Sequence, residues 1–108
     1  MSENQFNEIV AWQTETFVQS TALSKIYHLK EEIEELIIEL GIYGTNKRME
    51  FADCFFLLFG AAAAEGLSYQ DLHDAIQEKF EINKSRKTHL NLRMDTMALG
   101  LSLNLLTL

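Results

Sequence analysis

Two pairs of carboxylates with the same short spacing raise a chemical question. Glu32 and Glu35 stand three positions apart, and so do Glu50 and Asp53. On a helix such a pair lies about 60° apart, on one face. Two antiparallel helices that each carry one pair can bring four carboxylates round a shared point. Without a cation these groups repel. Hard oxygen ligands in this number suit Mg²⁺ or Mn²⁺, whereas zinc would favour histidine and cysteine. Two divalent ions held there would form a receptor for a polyphosphate, make hydroxide from water and stabilise charge on a transferring phosphorus.

A second set of groups suits the same chemistry. Lys79, Asn83 and Arg86 fall at i, i+4 and i+7, one stripe carrying a cation, an amide and a guanidinium whose fork matches phosphate oxygens. Each feature also has a plain reading. Glu-rich helices are common, and acids near a helix N-terminus are favoured by the macrodipole, which is a bland account of Glu50 and Asp53. Lys79, Asn83 and Arg86 taken singly read as a solvated face, as do Glu34 and Glu39. His28 is either a surface group or a support for Glu32, one turn on. Trp12 and Phe17 read more readily as core than as a platform for a ligand. Cys54, without a paired base, reads as packing. His73 and His89 receive no role.

The elements that must position these groups are helices. The chain has 108 residues, no proline and five glycines, so few breakers interrupt it. The expected segments run from about Glu3 to Val18, from Thr21 or Ser24 to Leu40 with Gly41 as terminator, from Arg48 to Glu65 ahead of Gly66, and from Ser68 to about Lys87. Ser68 is the expected N-cap of the fourth, with Asp71 in its first turn. In the second, Leu29, Ile33, Leu36, Ile37 and Leu40 form an apolar arc. His28, Glu31, Glu32, Glu35 and Glu39 form another, and Lys30 and Glu34 lie on a third sector. The third, MEFADCFFLLFGAAAA, is apolar nearly all round, the pattern of a helix buried between others. Carboxylates on such a helix need a metal ion or a basic residue from another helix, because no lysine or arginine occurs between Asp53 and Lys79.

Composition narrows the class further. The chain is 47% hydrophobic and 23% charged, which fits one folded domain, 1–108, with its motif-bearing core at about 8–87 and a tail at 88–108. A net charge of −7 argues against direct contact with a nucleic-acid backbone. One cysteine permits no internal disulfide, and no uncharged apolar run reaches the roughly 18 residues of a membrane span. The N-terminus MSENQFNEIV has neither the basic region nor the apolar core of a signal peptide. The expected place is the cytoplasm. The greasy segment 96–108 is expected to pack on the core or on a second subunit.

HLKEEIEEL, then EFAD, then KFEINKSR resembles the MazG-like all-α nucleoside triphosphate pyrophosphohydrolases, whose signature is ExxE followed by ExxD, with a later KxxxNxxR. More narrowly, WQTETF upstream and AAAAEGLSYQDLHDAI downstream look like the phage and bacterial dATP/dGTP pyrophosphohydrolase branch. The resemblance implies a four-helix-bundle-like fold in a dimer or tetramer. It implies cleavage of a purine dNTP, dGTP or dATP, to the monophosphate and pyrophosphate with Mg²⁺ or Mn²⁺, two or more ions per site. Glu32, Glu35, Glu50 and Asp53 would hold the metals. Glu31 and Glu35 would be the catalytic carboxylates, Glu31 orienting or deprotonating water. Lys79 and Arg86 would contact phosphates, with Asn83 near phosphate or sugar, and Trp12 or Phe17 would stack on the base. Some phage enzymes of this branch remodel the purine pool by removing dGTP or dATP. The branch commonly carries a tryptophan–proline pair after its arginine, where this chain reads RKTHLNL. The competing expectation is a non-catalytic helical module that binds a nucleotide, or a basic partner at its acids.

Overall fold

Four α-helices and no strand make up the described residues, 1–41 and 47–86, of the computed structural model. These are α1 (Glu3–Thr16), α2 (Ala22–Gly41), α3 (Lys47–Ala64) and α4 (Tyr69–Ser85). Each begins or ends on chemistry written in the local sequence. Ser2 caps α1, its hydroxyl accepting from the Gln5 N–H at 3.1 Å. Thr21 and Ser24 close a reciprocal box at the start of α2: the Ser24 N–H donates to Thr21 Oγ1 and the Thr21 N–H donates to Ser24 Oγ. Ser68 and Asp71 do the same for α4, at 2.8 and 3.1 Å. These bonds to the ionised form hold the Asp71 carboxyl below the ordinary carboxylate value.

Helix α3 ends in a Schellman motif. The Leu67 N–H reaches the Ala62 carbonyl, the Gly66 N–H reaches Ala63, and Gly66 sits at φ +91°, where a side chain would be strained. Gly41 behaves differently from expectation: it is the last residue of α2 and does not take a positive φ. Helix α1 stops two residues short of Val18, because Phe17 leaves helical geometry at φ −117°, ψ 63°. Helix α4 stops at Ser85, so Arg86 follows the helix in a turn.

The chain divides into two compact units, Met1–Leu72 and His73–Leu108. In the first, α1 and α2 both pack on α3. Helices α2 and α3 are antiparallel, since Lys25 near the start of α2 meets Gly60 late in α3, while Glu32 further along α2 meets Glu50 early in α3. Helix α1 is pinned by Phe6, only 3% exposed, whose ring meets those of Phe59 and Tyr69 at 5.8 and 5.7 Å. The second unit begins within α4, and its described part is the rest of that helix and Arg86. There Lys84 pairs with Glu81 at 2.9 Å and lies 4.7 Å above the Phe80 ring.

The expected burial of α3 is not met among the described residues. Gly60 and Ala61 are buried, but Phe51, Phe55, Phe56 and Leu58 remain between 40% and 52% exposed. On α2, Leu36 is buried, while Ile33, Ile37 and Leu40 of its expected apolar arc are exposed. Two helices packed on α3 cannot surround a helix that is apolar on every side. Among the described residues, no single helix is long and apolar enough to cross a membrane. The apolar segment 96–108 lies outside the described residues.

Candidate metal and nucleotide site

The acid pairs meet where α2 and α3 run side by side. Glu32, Glu35 and Glu50 each present a carboxylate oxygen, and these three oxygens lie within 4.8 Å of one another. The i,i+3 spacing turns Glu32 and Glu35 to the same edge of α2, and Glu50 in the first turn of α3 faces them. Asp53, one turn further along α3, stands outside this closest group, but its negative charge still acts on Glu32. Glu31 is exposed and also outside it.

The electrostatics are those of crowded acids. Burial, and then the neighbouring Glu35 carboxylate, raise the Glu32 carboxyl above its ordinary value; the His28 charge acts the other way. His28 Nε2 lies 3.2 Å from Glu32 Oε1. Among the described residues, no lysine or arginine forms an ion pair with Glu32, Glu35, Glu50 or Asp53. The field reaches the neighbouring thiol: burial, with the charges of Glu32, Asp53 and Glu50, pushes Cys54 up. A compact set of carboxylate oxygens, short of cationic partners and strained by mutual repulsion, fits a hard divalent ion such as Mg²⁺ or Mn²⁺.

Lys79, Asn83 and Arg86 belong to the second unit, with Lys79 and Asn83 on α4 and Arg86 just beyond it. Trp12 and Phe17 meet edge to face with ring centres 5.6 Å apart. Glu34 is exposed, as expected of a solvated charge, but Glu39 is half-buried, and its Oε2 is buried without a partner among the described residues.

Two groups unremarked in the sequence are the most buried polar side chains here. Gln13 is 5% exposed and Lys25 8%. Gln13 Nε2 donates to the Phe56 carbonyl of α3 at 2.8 Å. Lys25 Nζ donates to Ser20 Oγ at 2.9 Å. Both crowd Gly60: a β-carbon there would stand 2.9 Å from Gln13 Cδ and 3.1 Å from Lys25 Cε. The sequence signal was Gly60 itself, a glycine inside an apolar helix, which marks a close approach.

The family profile described as dATP/dGTP pyrophosphohydrolase matches residues 5–93. Comparison with curated proteins and with solved structures gave no match. The matched span contains both acid pairs and the α4 stripe, and so the chain belongs to the dATP/dGTP pyrophosphohydrolase family, hydrolases that act on nucleoside triphosphates.

Proposed function

We propose that this protein is a metal-dependent pyrophosphohydrolase that cleaves a purine deoxynucleoside triphosphate to the monophosphate and pyrophosphate. The observation that carries this reading is the trio of carboxylate oxygens within 4.8 Å, on a chain of this family. Glu32, Glu35, Glu50 and Asp53 would hold two or more Mg²⁺ or Mn²⁺ ions. Ions bound there supply positive charge against the triphosphate and acidify water. Glu31 and Glu35 orient the attacking water, and Glu31 accepts its proton. Water oxygen forms the new bond to phosphorus, the bridging P–O bond between the α- and β-phosphates breaks, and pyrophosphate departs. Lys79 and Arg86 steady the phosphates, with Asn83 near phosphate or sugar.

A homo-oligomer, dimer or tetramer, accounts for the apolar side chains of α3 that the described residues leave exposed. The biological role in this reading is control of the deoxynucleotide pool, in a phage-infected host if the chain is phage-encoded.

Incubation with each dNTP and Mg²⁺ or Mn²⁺, with the products separated, tests the reaction. The expected products are dNMP and pyrophosphate, from the purine substrates first. Orthophosphate release, or turnover unaffected by EDTA, contradicts it.

A further inference from the structure

Two helical turns from the acids, on the same side of both helices, the first unit contains a cavity of about 200 Å³ with a mixed polar and apolar lining. Lys25 precedes Glu32 by seven residues on α2, and Gly60 follows Asp53 by seven on α3. Seven residues return a helix to nearly the same face and advance it by about 10 Å. Gln13, Thr14, Phe17, Ser20, Lys25 and Gly60 are among its lining residues, beside two valines and two alanines.

Its polar groups are incompletely used. Among the described residues Gln13 Oε1 is buried with no hydrogen-bond partner, and the Nε2 bond to the Phe56 carbonyl leaves Oε1 turned to Gly60, which lines the cavity. Lys25 has three N–H donors, directed among the described residues to the hydroxyl and carbonyl of Ser20. Among the described residues no carboxylate pairs with this ammonium. It sits one turn into α2, where the helix dipole disfavours a cation. The cavity therefore lacks two things, a donor for Gln13 Oε1 and acceptors for Lys25 Nζ. Its volume is below that of pockets for drug-sized ligands, the right order for one ring system instead of a whole nucleotide. A 5′ carbon and a sugar ring bridge a separation of this order between a phosphate held at the acids and a base.

We infer that this cavity is the base-reading subsite, with Lys25 and Gln13 as specificity-determining residues that select guanine over adenine. The inference rests on the proposed hydrolase reading and names its base. Guanine carries two adjacent acceptors, O6 and N7, for the ammonium, the pairing that lysine and arginine commonly make. Its N1–H and 2-amino group, beside O6, are donors for Gln13 Oε1. Adenine offers one acceptor and one donor on that edge and leaves the cation less satisfied. Phe17 supplies an aromatic wall. Trp12 is not among the lining residues and acts through Phe17. Gly60 keeps the floor free of a methyl group that Gln13 and Lys25 could not accommodate.

Steady-state kinetics with dGTP, dATP and dITP on the full chain with Mg²⁺ test this, beside the Lys25→Met variant checked for helicity. Wild type is expected to prefer dGTP over dATP by about 5- to 150-fold in kcat/KM, the discrimination typical of a good paired contact. dITP, which keeps O6, N7 and N1–H, is expected close to dGTP. Lys25→Met should bring the dGTP to dATP ratio towards one, chiefly through KM. A wild type that treats the purines alike or prefers dATP overturns the inference, as does a folded Lys25→Met with an unchanged ratio. Should that variant not fold, the wild-type panel decides. Binding of dGMP and dAMP to wild type in EDTA separates the two readings. No dNTP turnover with dGMP bound more tightly than dAMP refutes the hydrolase and upholds the cavity. Turnover of all dNTPs at one rate does the reverse.

Discussion

The two ends of the α2–α3 pair carry opposite imbalances. At one end Glu32, Glu35 and Glu50 place three carboxylate oxygens within 4.8 Å, and among the described residues no lysine or arginine pairs with them. At the other, two turns away, no carboxylate among the described residues pairs with Lys25 and no donor among them reaches Gln13 Oε1. A fold built for stability alone would have paired these groups, since the separation is a matter of which helical turn each occupies. Keeping them apart fits a ligand that is anionic at one end and an electron-rich ring at the other. The family to which the chain belongs acts on such molecules.

Changes at the acid end should strike chemistry first. Replacing Glu50 by Gln keeps the size and removes the charge. Several kcal/mol of charge stabilisation is then lost, roughly a thousandfold in kcat. Turnover assays beside far-UV circular dichroism check that activity falls while helicity holds. A full-rate variant removes Glu50 from the site. At the cavity end, Gly60→Ala should strike the fold first. Alanine normally favours a helix interior by about 1 kcal/mol over glycine. Here its methyl group collides with Gln13, so chemical denaturation should show a loss of about 1–3 kcal/mol. A stabilised variant would mean that the cavity floor yields.

The acid end is also expected to cost stability when no metal is present. The Glu32 carboxyl titrates above its ordinary value of 4.5, because burial and Glu35 disfavour its charge. The folded state thus holds this proton more tightly than the unfolded one. Stability from this group is complete below pH 4.5 and is lost as pH rises through the folded value. Glu32→Gln should therefore melt higher than wild type in EDTA at neutral pH, with the gap closing as pH falls towards 4.5. A lower melting temperature across that range contradicts the account of Glu32. The smallest expected effect is on Cys54, whose thiol is held up by burial and by Glu32, Asp53 and Glu50. Its alkylation at mildly alkaline pH should be slower than that of a free thiol, and Asp53→Asn should quicken it. An unchanged rate would place the thiol outside the acids' field.

The two ends also differ in how far they could be read from residue order. Glu32 and Glu35, like Glu50 and Asp53, share a helix, so a spacing of three residues is enough to set their common face. Ser68 with Asp71, and Gly66 after the alanine run, were readable for the same reason, since caps are local chemistry. The cavity is built from Gln13, Lys25 and Gly60 on three separate helices. Gln13 and Lys25 look like ordinary surface residues until α1 and α2 close on α3. The composition of α3 gave its apolar character but not its covering, which depends on contacts beyond its own residues. Arg86 fell outside α4 because the helix ends at Ser85, where the Ser85 hydroxyl donates to the Ile82 carbonyl at 2.6 Å.

The claim on which the rest stands is that the carboxylates of α2 and α3 form one cation site. Mn²⁺ binding to EDTA-stripped protein, followed by electron paramagnetic resonance of the free ion, tests it directly. Wild type should bind Mn²⁺ in saturable fashion, and Glu35→Gln and Glu50→Gln, on different helices, should each weaken that binding sharply. Equal binding by wild type and both variants would contradict it.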